Sequence, residues 1–201
     1  MRYIKKVYCA FRGLIKFYQQ FNLKNKLILI GKNSKVVNSK RVVFNGRATF
    51  GFNCWIECVS FYNQEIFSSK IIFGKNLSVG NDFHVGSINK VTLGDNVLVG
   101  SRVLIIDHAH GIYNLLNQSN PEIEPLNRKL YGGEIIIGSN VWIGDSVSIV
   151  GNISIGNGSI IGTGSIVTKN FPENVLICGN PAKIIKYWCK EENKWLKYKQ
   201  E

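Results

Sequence analysis

The chain has 201 residues, with 25 Lys/Arg against 13 Asp/Glu and 45% hydrophobic residues. That length suits one domain with appendages, and that composition buries a core, which excludes a disordered chain. No apolar run reaches the ~18 residues of a transmembrane helix, residues 1–21 lack a secretory apolar block and cleavage site, and five cysteines without a Cys-x-x-Cys exclude a disulfide framework and a zinc ribbon, so the sequence predicts a folded protein of the cell interior.

The excess positive charge sits at one end. Residues 1–56 carry 12 Lys/Arg and no acid, and the remainder is balanced. Within residues 1–21, Ile4, Val7, Tyr8, Phe11, Leu14, Ile15 and Tyr18 share one arc at about 100° per residue, with Arg2, Lys5, Lys6, Arg12 and Lys16 opposite. This predicts a basic amphipathic helix over residues 1–26. Its apolar face suits its own protein, a neighbouring subunit, or an anionic lipid surface reached through residues 1–22. No nucleic-acid motif accompanies the charge, so no nucleic-acid partner is expected.

Further along, an aliphatic residue recurs every sixth position: Ile137, Ile143, Ile149, Ile155, Ile161 and Val167, mostly followed by Gly. Phe73, Val79 and Val85 form an earlier block, and Leu93, Val99 and Ile105 resume it after a shift of two residues. Six fits neither a helix nor a long alternating strand. It predicts a short strand and a tight corner, repeated, with Gly and Asn at corners that need positive φ. Three steps close one triangular coil, and stacked coils bury the ladder. The repeat domain spans residues 27–186. Its phase breaks over residues 107–134, a long loop with Pro121, Pro125, Gly132 and Gly133, and loops of this length in repeat proteins usually carry function. Residues 187–201, with Trp188, Trp195 and Leu196, read as a short C-terminal helix.

The runs Ile-Ile-Ile-Gly-Ser-Asn-Val-Trp-Ile-Gly (135–144), Ile-Gly-Thr-Gly-Ser-Ile-Val-Thr-Lys (161–169) and Cys-Gly-Asn-Pro-Ala-Lys (178–183) resemble the hexapeptide-repeat acyltransferases, in the sugar and polysaccharide O-acetyltransferase branch. The Ile-Asp-His-Ala-His-Gly segment (106–111) is similar to capsule-modifying members. The resemblance covers about residues 70–186. It implies an all-β, left-handed parallel β-helix, a homotrimer, acetyl-CoA as donor without a metal, and a sugar or polysaccharide acceptor. The lack of a membrane span or secretory signal and the basic N-terminus predict a cytoplasmic protein, or one peripheral at the inner face of the cell membrane.

A sugar hydroxyl is a weak nucleophile, so a base must take its proton, and histidine titrates near neutrality. The chain has three histidines. The resemblance places His110 at the base position; His108 beside it in the Asp-His-Ala-His run is the alternative, and Asp107 is the candidate to orient an imidazole. It places Trp142 beside the acyl donor, Gly144, Asp145 and Thr163 along the pantetheine, and Thr168, Lys169, Lys183 and Lys186 toward the nucleotide phosphates, where cations suit phosphate. Asn81 and His84 are candidates for the acceptor. Other readings are an N-acetyltransferase acting on an amino sugar, a xenobiotic acyltransferase on the same fold, a γ-class carbonic anhydrase using the three histidines, and a non-catalytic solenoid.

Overall fold

A six-residue step leaves room for two to four extended residues and a corner. The computed structural model, which describes residues 18–23, 26–113 and 116–199, has strands of that length. They stack as a left-handed parallel β-helix with three walls. Sheet A holds Lys26–Gly31, Ala48–Phe50, Leu77–Val79, Leu98–Val99, Trp142–Ile143, Ile160–Ile161 and Val175–Cys178. Sheet B holds Lys35–Val37, Trp55–Cys58, His84–Ser87, Leu104–Ile106, Ser148–Val150 and Ile166–Val167. Sheet C holds Val42–Phe44, Lys70–Phe73, Lys90–Leu93, Glu134–Ile137 and Ile153–Ile155. Each strand pairs in parallel with the strand one coil away, as Leu98–Val99 does with Trp142–Ile143.

The aliphatic ladder is the core. Ile137, Ile143, Ile149, Ile155, Ile161 and Val167 are all buried. Each such side chain contributes roughly 1.5–3 kcal/mol on leaving water. The earlier coils fill the same space with aromatics: Phe50 and Phe73 meet edge-on at 5.3 Å, and Phe44 stacks on Phe73 at the same separation. Ser159 and Ser165 replace aliphatics at two inward positions, and both are paired, Ser165 donating to the Gly162 carbonyl at 2.6 Å and Ser159 to that of Pro172 at 3.1 Å.

The corners carry left-handed residues, among them Asn33, Asn53, Asp82, Arg102 and Ser146 between sheets A and B. Coils approach so closely there that a Cβ on Gly51 would lie 2.7 Å from the Gly80 carbonyl carbon. Side chains also tie coil to coil. Asn81 Oδ1 accepts the Phe52 N–H at 2.8 Å, Ser101 Oγ that of Asn81 at 3.1 Å, and Asp145 Oδ1 that of Ser101 at 2.7 Å.

Both ends depart from expectation. Within the described residues the C-terminal segment is a hairpin, Lys183–Cys189 and Lys194–Lys197, added antiparallel to Val175–Cys178. The last coil leaves an open sheet edge, and Ile184, Ile185, Tyr187 and Trp188 suit a strand that covers it. Trp188 faces Trp195 across the hairpin with ring centroids 5.6 Å apart. At the other end, Tyr18–Leu23 pairs antiparallel with Lys26–Gly31, so the expected helix over 1–26 does not extend through it. The same physical reason applies: the first coil also has an edge to cover. The remainder of that expected helix, residues 1–17, lies outside the described residues.

Candidate active site

Insertions gather at one corner. From sheet B to sheet C, Ile149 and Ile155 stand six residues apart, the plain step. Val85 and Leu93 stand eight apart, Ile56 and Phe73 seventeen, and Ile105 and Ile137 thirty-two. The seventeen-residue step contains a small hairpin, Phe61–Tyr62 with Glu65–Ile66. The longest contains the excursion 107–133, whose stem is His108–His110 paired with Leu130–Gly132. The intervening coil turns tightly, so hairpin and excursion meet across it.

Asp107 anchors the excursion. Its side chain is fully buried. Oδ2 accepts from Ser87 Oγ at 2.7 Å and from the Asn89 N–H at 3.0 Å, while Oδ1 accepts from the Ile88 N–H at 2.9 Å and contacts His108 Nδ1 at 2.8 Å. Its carbonyl accepts the Gly133 N–H at 3.0 Å, closing the neck. The two residues added between Val85 and Leu93 are what present those N–H groups.

His108 is therefore held by Asp107 through Nδ1, with 13% of its side chain exposed. His84 lies beside it: both imidazoles border the space above Gly86, where a Cβ would sit 3.7 Å from His108 Cε1 and 3.8 Å from His84 Nε2. His84 stacks on Trp55 at 4.5 Å between centroids, with the rings 5° from parallel. Burial, and then the neighbouring His108, pushes the His84 pKa below the ordinary histidine value.

Alternation along the stem puts His110 on the same face as His108. It is exposed, and its Nδ1 lies 3.1 Å from the Tyr62 hydroxyl. Tyr62 also donates to the Leu126 carbonyl at 2.6 Å. Beside them opens a polar cleft of about 530 Å³ lined by Asn63, Gln64, Glu65, Asn127 and Lys129, the last paired with Glu65 at 2.9 Å.

A different surface lies on sheet A. Its outward residues Trp142, Ile160, Leu176, Lys186 and Lys197 occupy one register row. Four strand spacings of about 4.8 Å make that row about 19 Å long, apolar at one end and cationic at the other. Past it, Lys183, Ile184, Ile185, Lys197, Tyr198 and Lys199 line a hollow of about 560 Å³.

The bacterial transferase hexapeptide (six repeats) family matches residues 134–169. A protein of Escherichia coli strain K12 named for lipopolysaccharide biosynthesis O-acetyl transfer, WbbJ, is 40% identical over 63% of this chain and 65% of its own length. The match thus leaves about a third of that relative uncovered. The galactoside O-acetyltransferase of the same organism is 33% identical over 76% of this chain and 70% of its own. The chain belongs to the hexapeptide-repeat acyltransferases. A solved hexapeptide-repeat acetyltransferase of Vibrio cholerae O1 biovar eltor, complexed with acetyl coenzyme A, superposes with a TM-score of 0.52 at 25% identity, covering 58% of this chain and 60% of that one.

This hexapeptide-repeat acyltransferase brings some of the expected site residues together and separates others. Asp107, His108 and His84 are adjacent, and His110 follows on the same strand face. Asn81 and Asp145 are drawn instead into the corner ladder between coils. The Gly144 N–H donates to the Ile161 carbonyl at 2.8 Å and is committed to the coil. Trp142, Thr163, Thr168, Lys169, Lys183 and Lys186 are exposed, and Lys169 Nζ lies 5.6 Å from the Phe171 ring centroid. Among the described residues no three His, Cys, Asp or Glu side chains form a metal-ligating group. The hairpin with Tyr62 and the His84 partner Trp55 were missed. The signal was present in the phase: Phe50 and Ile56 keep the six-residue step, and Phe73 does not.

Proposed function

We propose that the chain transfers an acetyl group from acetyl-CoA to a sugar hydroxyl of a surface polysaccharide or its precursor, with His110 as general base. The observation that carries this reading is an exposed imidazole held at Nδ1 by Tyr62, the residue beside Asn63, which with Gln64, Glu65, Asn127 and Lys129 lines a polar cleft. Such a cleft offers donors and acceptors to a sugar's hydroxyls. His110 Nε2 takes the hydroxyl proton as the oxygen bonds to the thioester carbonyl carbon. The carbon–sulfur bond then breaks, and the proton passes to the departing thiolate.

The residues present suit the donor. An acetyl-CoA laid along the Trp142 row has apolar contact along the pantetheine and Lys183, Lys186 and Lys197 near the phosphates. Thr163 belongs to the pantetheine, while Thr168 and Lys169 follow the sheet B strand Ile166–Val167 and so would reach the nucleotide end from the protomer that supplies the imidazole.

The two halves of this site belong to different protomers in our reading. The excursion leaves the corner between sheets B and C, opposite the wall formed by sheet A. An imidazole there meets a thioester on sheet A only where a second copy supplies it, which supports a homotrimer. At the basic end of the chain, residues 1–22 contact anionic lipid at the inner face of the membrane, bringing the enzyme to a membrane-linked acceptor.

The test is transfer from labelled acetyl-CoA to a panel of galactosides, maltose and lipopolysaccharide oligosaccharides, read by mass shift. His110→Ala should lower kcat by roughly 10²–10⁴ and leave coenzyme A affinity unchanged. Near-normal turnover of that variant, with loss in His108→Ala, would move the base to His108. An active monomer in light scattering would refute the shared site.

A further inference from the structure

We infer that Tyr62 is a positioning residue for His110, whose hydroxyl holds the imidazole with its proton on Nδ1 and so leaves Nε2 free to accept. The argument is one of proton counting. A tyrosine hydroxyl has a single proton. The Leu126 carbonyl, 2.6 Å away, has only lone pairs to offer, so that proton is given there. What remains toward His110 Nδ1 at 3.1 Å is a lone pair, and a hydrogen bond in that direction requires an N–H on Nδ1. The rings meet edge-to-face at 5.2 Å and 77°, which fixes the imidazole plane as well as its proton.

The surroundings hold both partners in place. Asn63 Nδ2 donates to the same Leu126 carbonyl at 3.2 Å, and Lys129 bridges to Glu65 at 2.9 Å, so the hairpin is tied to the excursion on either side of Tyr62. The His110 main chain is held by Leu130 across the stem and by the Tyr113 hydroxyl, which donates to the His110 carbonyl. Tyr113 in turn accepts from Arg128 Nη1 at 2.9 Å. Arg128 also reaches the Ile123 and Pro121 carbonyls at 2.9 and 3.0 Å. The contact to Tyr62 serves both states of the base. When Nε2 gains a proton the Nδ1–H donor becomes charged, and charge-assisted hydrogen bonds are stronger.

This inference rests on His110 being the base of the proposed reaction, but its first readout does not. With three histidines in the chain, selective 15N-histidine labelling gives resolvable side-chain signals. In the wild type, His110 should show the Nδ1-protonated pattern at a pH where it is neutral. In Tyr62→Phe, which removes one oxygen and keeps the ring, His110 should shift toward the Nε2-protonated form that free imidazole favours in water. In the transfer assay Tyr62→Phe should lower kcat roughly 10- to 150-fold, the worth of one hydrogen bond to a group that becomes charged, with KM for acetyl-CoA unchanged. Thermal melting checks that the variant folds. An Nε2-protonated His110 in the wild type overturns the inference, as does a folded Tyr62→Phe with unaltered His110 signals. Failure of transfer with the expected tautomer present would instead overturn the proposed activity and leave the positioning intact.

Discussion

Asp107→Asn tests how the excursion is fastened to the coil. The carboxylate receives two main-chain N–H groups, a serine hydroxyl and an imidazole nitrogen, at a fully buried position. Asparagine has nearly the same shape but turns one acceptor oxygen into a donor. If the NH2 replaces Oδ2, Ser87 rotates to accept but the Asn89 N–H is left facing a donor. If it replaces Oδ1, His108 changes tautomer but the Ile88 N–H is left facing a donor. Either orientation strands one main-chain N–H, at a cost of about 1–3 kcal/mol. Asp107→Ala strips all four partners and should cost about 3–5 kcal/mol.

Hydrogen exchange followed by mass spectrometry on peptides covering residues 86–90 reads that cost where it arises. At 1.4 kcal/mol per decade, Asp107→Asn should speed exchange of the Ile88 and Asn89 amides by roughly 5- to 150-fold. Peptides from residue 160 onward, beyond the neighbouring coil, should stay unchanged, because each coil touches only its neighbours. Protection at Ile88 and Asn89 within twofold of the wild type would mean that the carboxylate does not hold this corner.

His84 predicts a pH dependence of stability. Its pKa is lowered in the folded chain by burial and then by His108, so below the ordinary value of about 6.5 the unfolded chain binds the proton more readily. Stability should be fully present above that pH and fall as the pH drops toward the lowered value. His84→Phe should flatten this part of the melting-temperature curve, and an equally steep curve would count against the cause. At the other end of the chain, deleting residues 1–22 should weaken sedimentation with phosphatidylglycerol vesicles and spare transfer to a soluble acceptor. Unchanged vesicle binding would remove lipid contact from the reading.

The coil was legible because its physics is local. One aliphatic side chain per six residues must point inward, so Ile137 through Val167 name the core directly, and all six are buried. The tail was not legible. Lys183–Cys189 carries a mixed pattern of exposure, and what makes it a strand is the open edge of Val175–Cys178, a feature of the assembled sheet rather than of the segment. Asn81 and Asp145 show the same limit at the site. A polar residue after a corner glycine looks equally fit to meet a ligand or the next coil, and here their oxygens take main-chain N–H groups. Tyr62 was hidden for another reason. Nothing in its neighbourhood marks it, and its partner lies 48 residues further on.

The corner ladders explain why the candidate chemistry gathers where it does. Between sheets A and B, Asn81, Ser101 and Asp145 pass hydrogen bonds from coil to coil. Between sheets C and A, Asp95, Ser139 and Asn157 do the same, accepting from Lys75, Asp95 and Ser139 at 2.7, 3.0 and 2.7 Å. An insertion at either corner would break the bonds to the coil above and the coil below. The corner between sheets B and C starts its comparable ladder only at Asn152, which accepts from Glu134, and at Asn170, which accepts from Ser154. The earlier coils can therefore lengthen there without breaking such a ladder, their side-chain ties at this corner being donors to carbonyls, as from Asn38 Nδ2 to Cys58 at 2.6 Å and from Arg41 Nη1 to Phe67 at 2.6 Å. The hairpin with Tyr62 and the excursion with His108 and His110 grow from that corner, and Asp107 restores by a single buried side chain the coil-to-coil bonds that a ladder supplies elsewhere.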